Sequence, residues 1–251
     1  MRADKYLAER FASRTKAADA ITRGLVLVNG KKITPSYDIK DGDSIEFLSA
    51  EESFVSAGGY KLSKAIKEFG YSAQGKIFAD IGASTGGFTD CLLKNGARKI
   101  YCIDVGENQL DKSLDREKLV IIDNFNARNL TKNLFAEDLD GVVIDVSFIS
   151  LTYILRAVSE ILKEGASVLA LIKPQFECES RKVGKNGIVK DRDVHERVLN
   201  KVCEFASGCG LIPKKLTTAP QVAGKNLEYL VLLEKGGESV DLKKLIKSVK
   251  L

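Results

Sequence analysis

The sequence predicts an α/β protein with a mostly parallel sheet, preceded by a small α+β unit. Short apolar runs alternate with helical stretches from residue 61 onward, and a glycine-rich turn joins the first of these runs to a helix. The first 32 residues contain eight lysines and arginines against three acids, although the net charge of the whole chain is only +5. This concentration of basic charge predicts a polyanionic partner for the N-terminal unit.

The N-terminal unit is predicted to span residues 1–48. Segments 2–10 and 15–23 have the apolar spacing of two short helices, and Asn29-Gly30 lies between apolar runs, which is typical of a hairpin turn. So small a unit has a limited core, so its basic face is predicted to be a docking surface rather than an active site. A helical face that is merely solvated stays open as the alternative.

A linker is predicted over residues 49–59, where "SAEESFVSAGG" is small, polar and glycine-containing. The main domain is then predicted to span residues 60–251, beginning with a helix in "KLSKAIKEFG". Repeated strand and helix units in this domain indicate a parallel sheet covered on both faces, and two final strands suggest a terminal antiparallel pair. The predicted strands are 76–81, 98–104, 118–122, 141–146 and 166–173, and the predicted helices are 86–95, 150–163 and 193–208.

The composition excludes several classes of protein. No apolar stretch approaches the roughly 18 residues of a membrane helix, and the N-terminus lacks the apolar region of a secretory signal. The five cysteines are odd in number and form no C-x-x-C pair, which favours reduced thiols over disulfides or a zinc site. We therefore expect a cytoplasmic protein that neither spans a membrane nor binds a metal.

The glycine-rich turn "ADIGASTGGFTDCLL" is compatible with a nucleoside cofactor. A P-loop would need Lys and then Ser or Thr at its end, where Phe88 and Thr89 stand, and a dinucleotide site would need glycine where Ser84 stands. S-adenosylmethionine needs only the turn and a later acid for the ribose hydroxyls. Asp104 follows Asp80 by 24 residues, close to the spacing of a ribose-binding acid. An ordinary tight turn between strand and helix stays open as the alternative.

Polar residues follow each predicted parallel strand, so that one edge of the sheet gathers them: Asp80, Asp104, Asn126, Asp145 and Lys173. Ligands of open α/β sheets bind beyond this edge. A lysine there can act as a general base, and a lysine with an aspartate suits a ribose hydroxyl as methyl acceptor. "DVSF" stands where base-methylating enzymes have an Asn-Pro-Pro-aromatic segment, so no proline pair holds a planar base.

Several segments carry a resemblance to a known family. "MRADKYLAERFASRTKAADAITRGLVLVNGKKI" is similar to the S-four-type RNA-binding module. "DIGASTGGFTDCLL", "VVIDVSFISL", "LIKPQFE" and "KNLEYLVLLEK" follow in the order seen in the TlyA family of ribosomal RNA methyltransferases, long called hemolysins. The resemblance covers essentially the whole chain. It implies a Rossmann-like, FtsJ-type domain that methylates ribose 2′-hydroxyls of ribosomal RNA, with cytidine as the nucleotide.

The resemblance also implies roles for individual residues. Its Lys-Asp-Lys-Glu set corresponds to Lys61, Asp145, Lys173 and Glu228, with Lys173 activating the 2′-hydroxyl and the other three orienting it and tuning charge. S-adenosylmethionine would be the cofactor. Gly82, Ser84, Thr85 and Gly86 would bind its methionine end, Asp104 its ribose, and Asn126 with Ala127 its adenine, and Asp80 is a further cofactor-binding candidate.

Phosphate contacts with RNA are expected from lysines and arginines of the N-terminal unit. The candidates are Arg2, Lys5, Arg14, Lys16, Lys31 and Lys32. One residue departs from the family pattern: Ala57 stands where the linker usually has arginine, which puts a phosphate contact or a signal between domains in doubt. His195, the single histidine, is expected to be structural or solvated. Two other functions stay open, a ribosome-binding assembly factor without turnover and, less favoured, a membrane-lytic protein.

Overall fold

The computed structural model describes residues 1–11, 13–22, 24–29, 31–47, 54–184, 186–221 and 224–249. Residues 49–53 of the predicted linker and the side chains of two RNA-binding candidates, Lys31 and Lys32, lie outside this description. The chain forms two compact units, Met1–Ala57 and Gly58–Leu251.

The N-terminal unit contains two helices and three short strands within its described residues. Its elements are α1 (Ala3–Tyr6), α2 (Arg14–Thr22), β1 (Val26–Val28), β2 (Lys31–Lys32) and β3 (Ile45–Phe47). β1 lies between β2 and β3 and is antiparallel to both, as the predicted hairpin requires. The side chains of Leu7, Ile21 and Val26 form part of a small apolar core. The predicted α+β architecture of this unit is confirmed.

The C-terminal unit alternates strands and helices in chain order. It begins with α3 (Ala57–Phe69), β4 (Ile77–Ile81), α4 (Gly87–Lys94), β5 (Lys99–Ile103), β6 (Leu119–Ile122) and β7 (Gly141–Ile144). It continues with a 3-10 turn (Leu151–Tyr153), α5 (Leu155–Ile161), β8 (Ser167–Ile172), α6 (Pro174–Glu177), α7 (Arg192–Gly208), β9 (Leu211–Thr218), β10 (Tyr229–Lys235) and α8 (Leu242–Lys247).

Seven strands form one sheet in the described part of this unit, in the order β6-β5-β4-β7-β8-β10-β9. The first five strands of that order are parallel, while β10 inserts between β8 and β9 and runs antiparallel to both. The chain order reverses between β4 and β7, so a crevice opens where their carboxyl ends meet. The predicted α/β fold and its terminal antiparallel pair are confirmed.

Two elements differ from the sequence prediction. Helix α3 begins at Ala57, four residues before the predicted start at Lys61, so the end of the predicted linker is helical. Asp80 lies inside β4 rather than after it, and its side chain is fully buried. The spacing of apolar residues predicts neither feature. Two glycines near the start of α3 carry no apolar side chain that could show a helical period, and the acid in β4 interrupts an otherwise apolar strand.

The buried histidine of the core is paired where α7 meets β10. His195 on α7 is buried, and its ring nitrogens lie 2.8 Å from the Tyr229 hydroxyl and 3.0 Å from the Val189 carbonyl. This histidine is therefore structural. Within the described residues, no helix is long and apolar enough to cross a membrane.

Candidate active site

The turn after β4 requires glycine at position 82. Gly82 has a φ of +81°, and a Cβ placed there would stand 2.6 Å from the carbonyl oxygen of Asp145. A side chain would therefore collide with the backbone that follows β7. The two strand ends approach this closely because the Asp145 amide donates to the Ile81 carbonyl at 3.0 Å. Glycine thus lets the loop after β4 lie directly against the loop after β7.

A cavity of about 340 Å³, here called the rim cavity, opens at the carboxyl ends of β4, β5 and β7. Apolar side chains such as Ile103, Phe125 and Ile154 line it together with several of the predicted cofactor residues. Those predicted residues are Gly82, Ser84, Asp104, Asn126 and Ala127. The volume and this mixture of apolar walls with a few polar groups are typical of a small-molecule site.

Asp104 is held in place by backbone amides. One carboxylate oxygen accepts from the Ser84 amide at 2.8 Å and the other accepts from the Gly106 amide at 2.8 Å. A carboxylate offers about four lone-pair positions, so each oxygen retains capacity for a hydroxyl donor. Ser84 itself has a φ of +46°, and its hydroxyl lies 3.1 Å from the Gln109 side chain. The loop is therefore preorganised around an acid that suits a ribose diol.

The segment after β6 forms the opposite wall of the rim cavity. Asn126 precedes a short 3-10 turn, and its side-chain oxygen accepts from the Arg128 amide at 3.1 Å and from the Arg128 side chain at 3.2 Å. Ala127 lines the cavity beside it. This wall lies where the family resemblance implies the adenine of the cofactor.

Asp80 lies in the interior behind the turn and does not line the rim cavity. One of its oxygens accepts from the Thr89 hydroxyl at 2.6 Å, and the other has no hydrogen-bond partner among the described residues. Burial raises the pKa of this carboxyl to about 7. The strand end that was predicted to expose Asp80 to a ligand instead buries it.

Two ion pairs lie at the edge of the sheet. Lys173 Nζ is 2.6 Å from the Asp145 carboxylate and 2.8 Å from the Ser147 hydroxyl, and its side chain is only 10% exposed. Asp145 and Ser147 both line the rim cavity. This pair therefore places an amine beside the predicted cofactor site.

The second pair joins α3 to the start of β10. Lys61 Nζ lies 2.6 Å from the Glu228 carboxylate, whose other oxygen accepts from the Gln175 side chain at 3.2 Å. Tyr229 pairs with Ile172 across β10 and β8, so Glu228 and Lys173 lie just beyond the last paired residues of these strands. Sheet register therefore brings the two ion pairs to the same end of β8.

The structure thus brings the four residues of the Lys-Asp-Lys-Glu set to one sheet edge as two ion pairs. Thr85 and Gly86 lie in the same turn but do not line the rim cavity. Sequence reasoning missed Ser147, Gln175 and Gln109, whose partners are distant in sequence. The polar Ser147 beside Asp145 was the one available sign. Within the described residues, no group of three or more metal-ligating side chains occurs.

Phe148 is a further residue at the mouth of the rim cavity. Its side chain is 90% exposed, its φ is +65°, and its ring lies 5.1 Å from that of Phe176. A left-handed backbone is strained for a bulky residue, and such strain concentrates at functional sites. The cavity therefore has an exposed aromatic ring among its lining residues.

The RNA-binding candidates of the N-terminal unit fall into two groups. Arg2 and Arg14 both lie 3.0 Å from the Asp4 carboxylate, which their hydrogen bonds and charge hold at a pKa of about 2 despite the opposing effect of burial. Lys5 and Lys16 are exposed. The two arginines are therefore part of the unit's own structure, whereas the two lysines are available to a polyanion.

The fold and site define a Rossmann-like methyltransferase with an attached S4 unit, and comparisons with known proteins agree. The FtsJ-like methyltransferase family matches residues 54–235, and the S4 domain matches residues 1–45. The chain therefore belongs to the FtsJ-like methyltransferase family, whose methyl donor is S-adenosylmethionine.

Within that class the chain belongs to the TlyA family. It is 44% identical to Hemolysin A of Brachyspira hyodysenteriae, over 92% of this chain and 98% of that one. It is 35% identical to the 16S/23S rRNA (cytidine-2'-O)-methyltransferase TlyA of Mycobacterium tuberculosis, over 88% of this chain and 84% of that one. A solved structure from Streptococcus thermophilus is 38% identical with a TM-score of 0.74, covering 99% of this chain and 94% of that one.

Proposed function

We propose that this protein methylates ribose 2′-hydroxyls of ribosomal RNA, with cytidine as the nucleotide. The observation that carries the proposal is the ion pair of Lys173 with Asp145, because Asp145 lines the same cavity as the ribose-binding candidate Asp104. The names of the relatives from Mycobacterium tuberculosis and Campylobacter jejuni, both rRNA (cytidine-2'-O)-methyltransferases, support the substrate class.

The residues of the rim cavity fit S-adenosylmethionine. Asp104 would hold the ribose, Asn126 and Ala127 would contact the adenine, and the turn around Gly82 and Ser84 would receive the methionine end. Two features support this fit: the close contact of the Gly82 backbone with the Asp145 carbonyl, which a side chain would prevent, and the Asp104 carboxylate, which backbone amides hold in place. When bound, this cofactor supplies an electrophilic methyl group on a sulfonium centre.

Lys173 is proposed as the group that receives the proton of the attacking hydroxyl. In its ion pair with Asp145 the side chain is an ammonium, so it must first release a proton to solvent before its neutral amine can act as this base. A ribose hydroxyl must lose this proton as its oxygen attacks, so a base at hydrogen-bond distance accelerates the step. Asp145 and Ser147 fix the position of Lys173 Nζ beside the cavity. Lys61 and Glu228 are proposed to orient the acceptor ribose, since their ion pair lies just beyond the paired end of β8 and β10.

The two units are proposed to divide the work. Residues 1–48 bind RNA through phosphate contacts, residues 49–59 link the units, and residues 60–251 bind the cofactor and transfer the methyl group. The partner is a ribosomal subunit, and the protein acts in the cytoplasm. Support comes from the S4 match at residues 1–45 and the excess of basic residues there.

The test is methyl transfer from labelled S-adenosylmethionine to unmodified ribosomal subunits, followed by mapping of the modified ribose. Wild-type protein is expected to label one or a few cytidines. Lys173→Met is expected to lower kcat by about 100-fold or more while cofactor affinity, measured by calorimetry, stays within about twofold. RNA binding without transfer by the wild type would favour an assembly factor and overturn the proposal.

A further inference from the structure

Two further clefts continue from the rim cavity along the surface of the C-terminal unit. The aromatic cleft, about 460 Å³, shares Phe148 and Ile149 with the rim cavity and is also lined by Tyr153. The basic cleft, about 340 Å³, shares Lys201 with the aromatic cleft and extends to Lys182 and Arg197. The shared residues make one continuous path from the cofactor site to the surface of α7.

The aromatic cleft presents rings to solvent. Tyr153 is 67% exposed and Phe148 is 90% exposed, although both belong to the segment that follows the buried strand β7. Exposed rings beside a cavity are typical of single-strand nucleic-acid sites, where bases stack on aromatic faces without regard to sequence. Tyr153 lies one cleft further from the cofactor than Phe148 does. Its place therefore suits a nucleotide adjacent to the one that reacts.

The basic cleft presents cations that its acids do not neutralise. Lys182 and Arg197 are exposed, and neither side chain forms an ion pair within the described part of the chain. The Glu177 carboxylate is 1% exposed and already accepts from the Ser150 hydroxyl and the Leu151 amide.

The remaining charges of the basic cleft pair with one another. Glu179 is paired with Arg181, and Lys201 lies 3.5 Å from the Glu177 carboxylate and donates to the Glu177 carbonyl at 2.8 Å, so Lys182 and Arg197 are left as the excess cations. The cleft surface therefore carries a net positive charge, which complements a phosphate backbone.

We propose that the aromatic and basic clefts together bind the single-stranded RNA that flanks the target nucleotide. Tyr153 stacks on a neighbouring base, while Lys182 and Arg197 contact the phosphates beyond it. This inference rests on the proposed function and adds a second RNA surface, on the C-terminal unit itself. An RNA strand fits better than a protein segment because exposed rings are followed by unpaired cations along a path that begins at the proposed ribose-methylating site.

The experiment compares two variants with a matched control in the full chain. The variants are the double substitution Lys182→Ser with Arg197→Ser, and Tyr153→Ala. The control is Lys243→Ser with Lys247→Ser, which removes the same charge from exposed positions of α8, an element that lines neither cleft. Binding of a fluorescent single-stranded oligoribonucleotide is measured across a salt series, and cofactor binding and methyl transfer are measured in parallel.

The double variant is expected to lower the slope of log K against log salt by about 1.4, or about 0.7 for each lost phosphate contact, while the control lowers it by much less. Tyr153→Ala is expected to weaken RNA binding at least about fivefold, and Tyr153→Phe to restore it, because the ring is what stacks. Cofactor affinity and melting temperature should match the wild type in all variants. Single Lys182→Ser and Arg197→Ser variants replace the double variant if it fails to fold.

Equal RNA affinity and equal salt slope in the double variant and the control would overturn this inference and leave the proposed function intact. Loss of affinity for ribosomal subunits without loss for naked RNA would also overturn it, since the partner of the clefts would then be a protein. If the wild type transfers no methyl group but the double variant still loses oligoribonucleotide affinity, the proposed function fails and the RNA surface stands.

Discussion

Gly82 shows how one residue without a side chain shapes the rim cavity. Its φ of +81° disfavours any L side chain, and the Asp145 carbonyl also occupies the space of a Cβ. We expect Gly82→Ala to destabilise the fold by at least about 1 kcal/mol and to weaken cofactor binding more than tenfold, because the loops after β4 and β7 must separate. Urea unfolding and calorimetry with S-adenosylmethionine measure the two effects.

Gly165 provides the matched control for that substitution. It lies in the same unit with a φ of +76°, but a Cβ there would meet no heavy atom within 4 Å. Gly165→Ala should therefore show the backbone strain without the collision, and it should leave cofactor affinity unchanged. Equal losses of cofactor affinity in the two variants would mean that the close approach to Asp145 is irrelevant to the site.

Asp80 gives the C-terminal unit a pH-dependent stability. Burial raises its pKa to about 7 in the native state, well above the value near 3.9 of an unfolded chain. The contribution is therefore fully present below about pH 4 and is lost as the pH rises through 7, by roughly 1 kcal/mol per pH unit. Asp80→Asn should unfold with less dependence on pH between 5 and 8, as measured by urea titration.

The control for Asp80→Asn is Asp115→Asn, which changes an exposed acid of the same unit. The Asp115 variant should follow the wild-type pH profile. An unchanged profile in Asp80→Asn would show that Asp80 keeps its charge in the native state, in which case its second oxygen must find a partner that the described residues do not supply.

At the scale of elements, Glu177 joins the two segments that carry the reacting groups. Its carboxylate accepts from the Ser150 hydroxyl at 2.5 Å and the Leu151 amide at 2.7 Å, in the segment that follows Asp145. The same residue ends α6, whose N-cap is Lys173. A buried carboxylate thus ties the loop after β7 to the loop after β8.

We expect Glu177→Ala to leave the buried Leu151 amide without its acceptor, at a cost of about 1–3 kcal/mol, and to leave the Ser150 hydroxyl bonded to Thr152 alone among the described residues. Methyl transfer should lose kcat while the KM for S-adenosylmethionine changes less. The reason is that the Glu177 hydrogen bonds align Asp145 with Lys173 and lie outside the rim cavity. Chemical denaturation and steady-state kinetics measure these effects. The neighbouring Glu179→Ala, which removes an exposed acid, should change neither stability nor kcat; a similar loss in both would contradict the role of the buried tie.

Sequence patterns predicted the elements whose residues carry the pattern within one short segment. The strands β4, β5, β7 and β8 were predictable because each is a short apolar run, and α7 because its apolar residues recur at helical spacing. Helix α6 has four residues, too few for a period to show. The burial of Glu177 and Asp80 was not predictable either. Acidic residues are mostly exposed, so a sequence predicts an exposed acid unless its distant partners are known.

In the candidate site too, some features were predictable from the sequence and others were not. The strand ends of a parallel sheet share one edge, so the positions of Asp104, Asn126, Asp145 and Lys173 followed from topology. Their hydrogen-bond partners did not, since Ser147 and Lys173 are 26 residues apart and Gln175 and Glu228 are 53 apart. Such contacts depend on the register of β8 with its neighbours β7 and β10, which no local pattern specifies.

At the scale of the whole molecule, each of the two units has its own apolar core. The N-terminal unit combines a small apolar core with the ion-paired cluster of Asp4, Arg2 and Arg14. The hydrogen bond from Arg2 leads the interactions that lower the pKa of Asp4 to about 2. That stability is present above about pH 4 and is lost as the pH falls toward 2, so acid should affect this unit through Asp4.

This division predicts different consequences for two pairs of substitutions in the N-terminal unit. Arg2→Ser with Arg14→Ser should destabilise the unit, because the nearly buried Asp4 carboxylate loses both of its cations, and RNA affinity should fall as a consequence of unfolding.

Lys5→Ser with Lys16→Ser removes the same charge from exposed lysines. It should leave the unit folded while lowering the salt slope of RNA binding by about 1 to 2. Hydrogen exchange of residues 1–47 and RNA titrations separate the two cases, and cofactor affinity should stay at the wild-type value in both. Protected amides together with unchanged RNA affinity in the lysine variant would show that the basic face is only solvated, and RNA recognition would then have to come from the C-terminal unit.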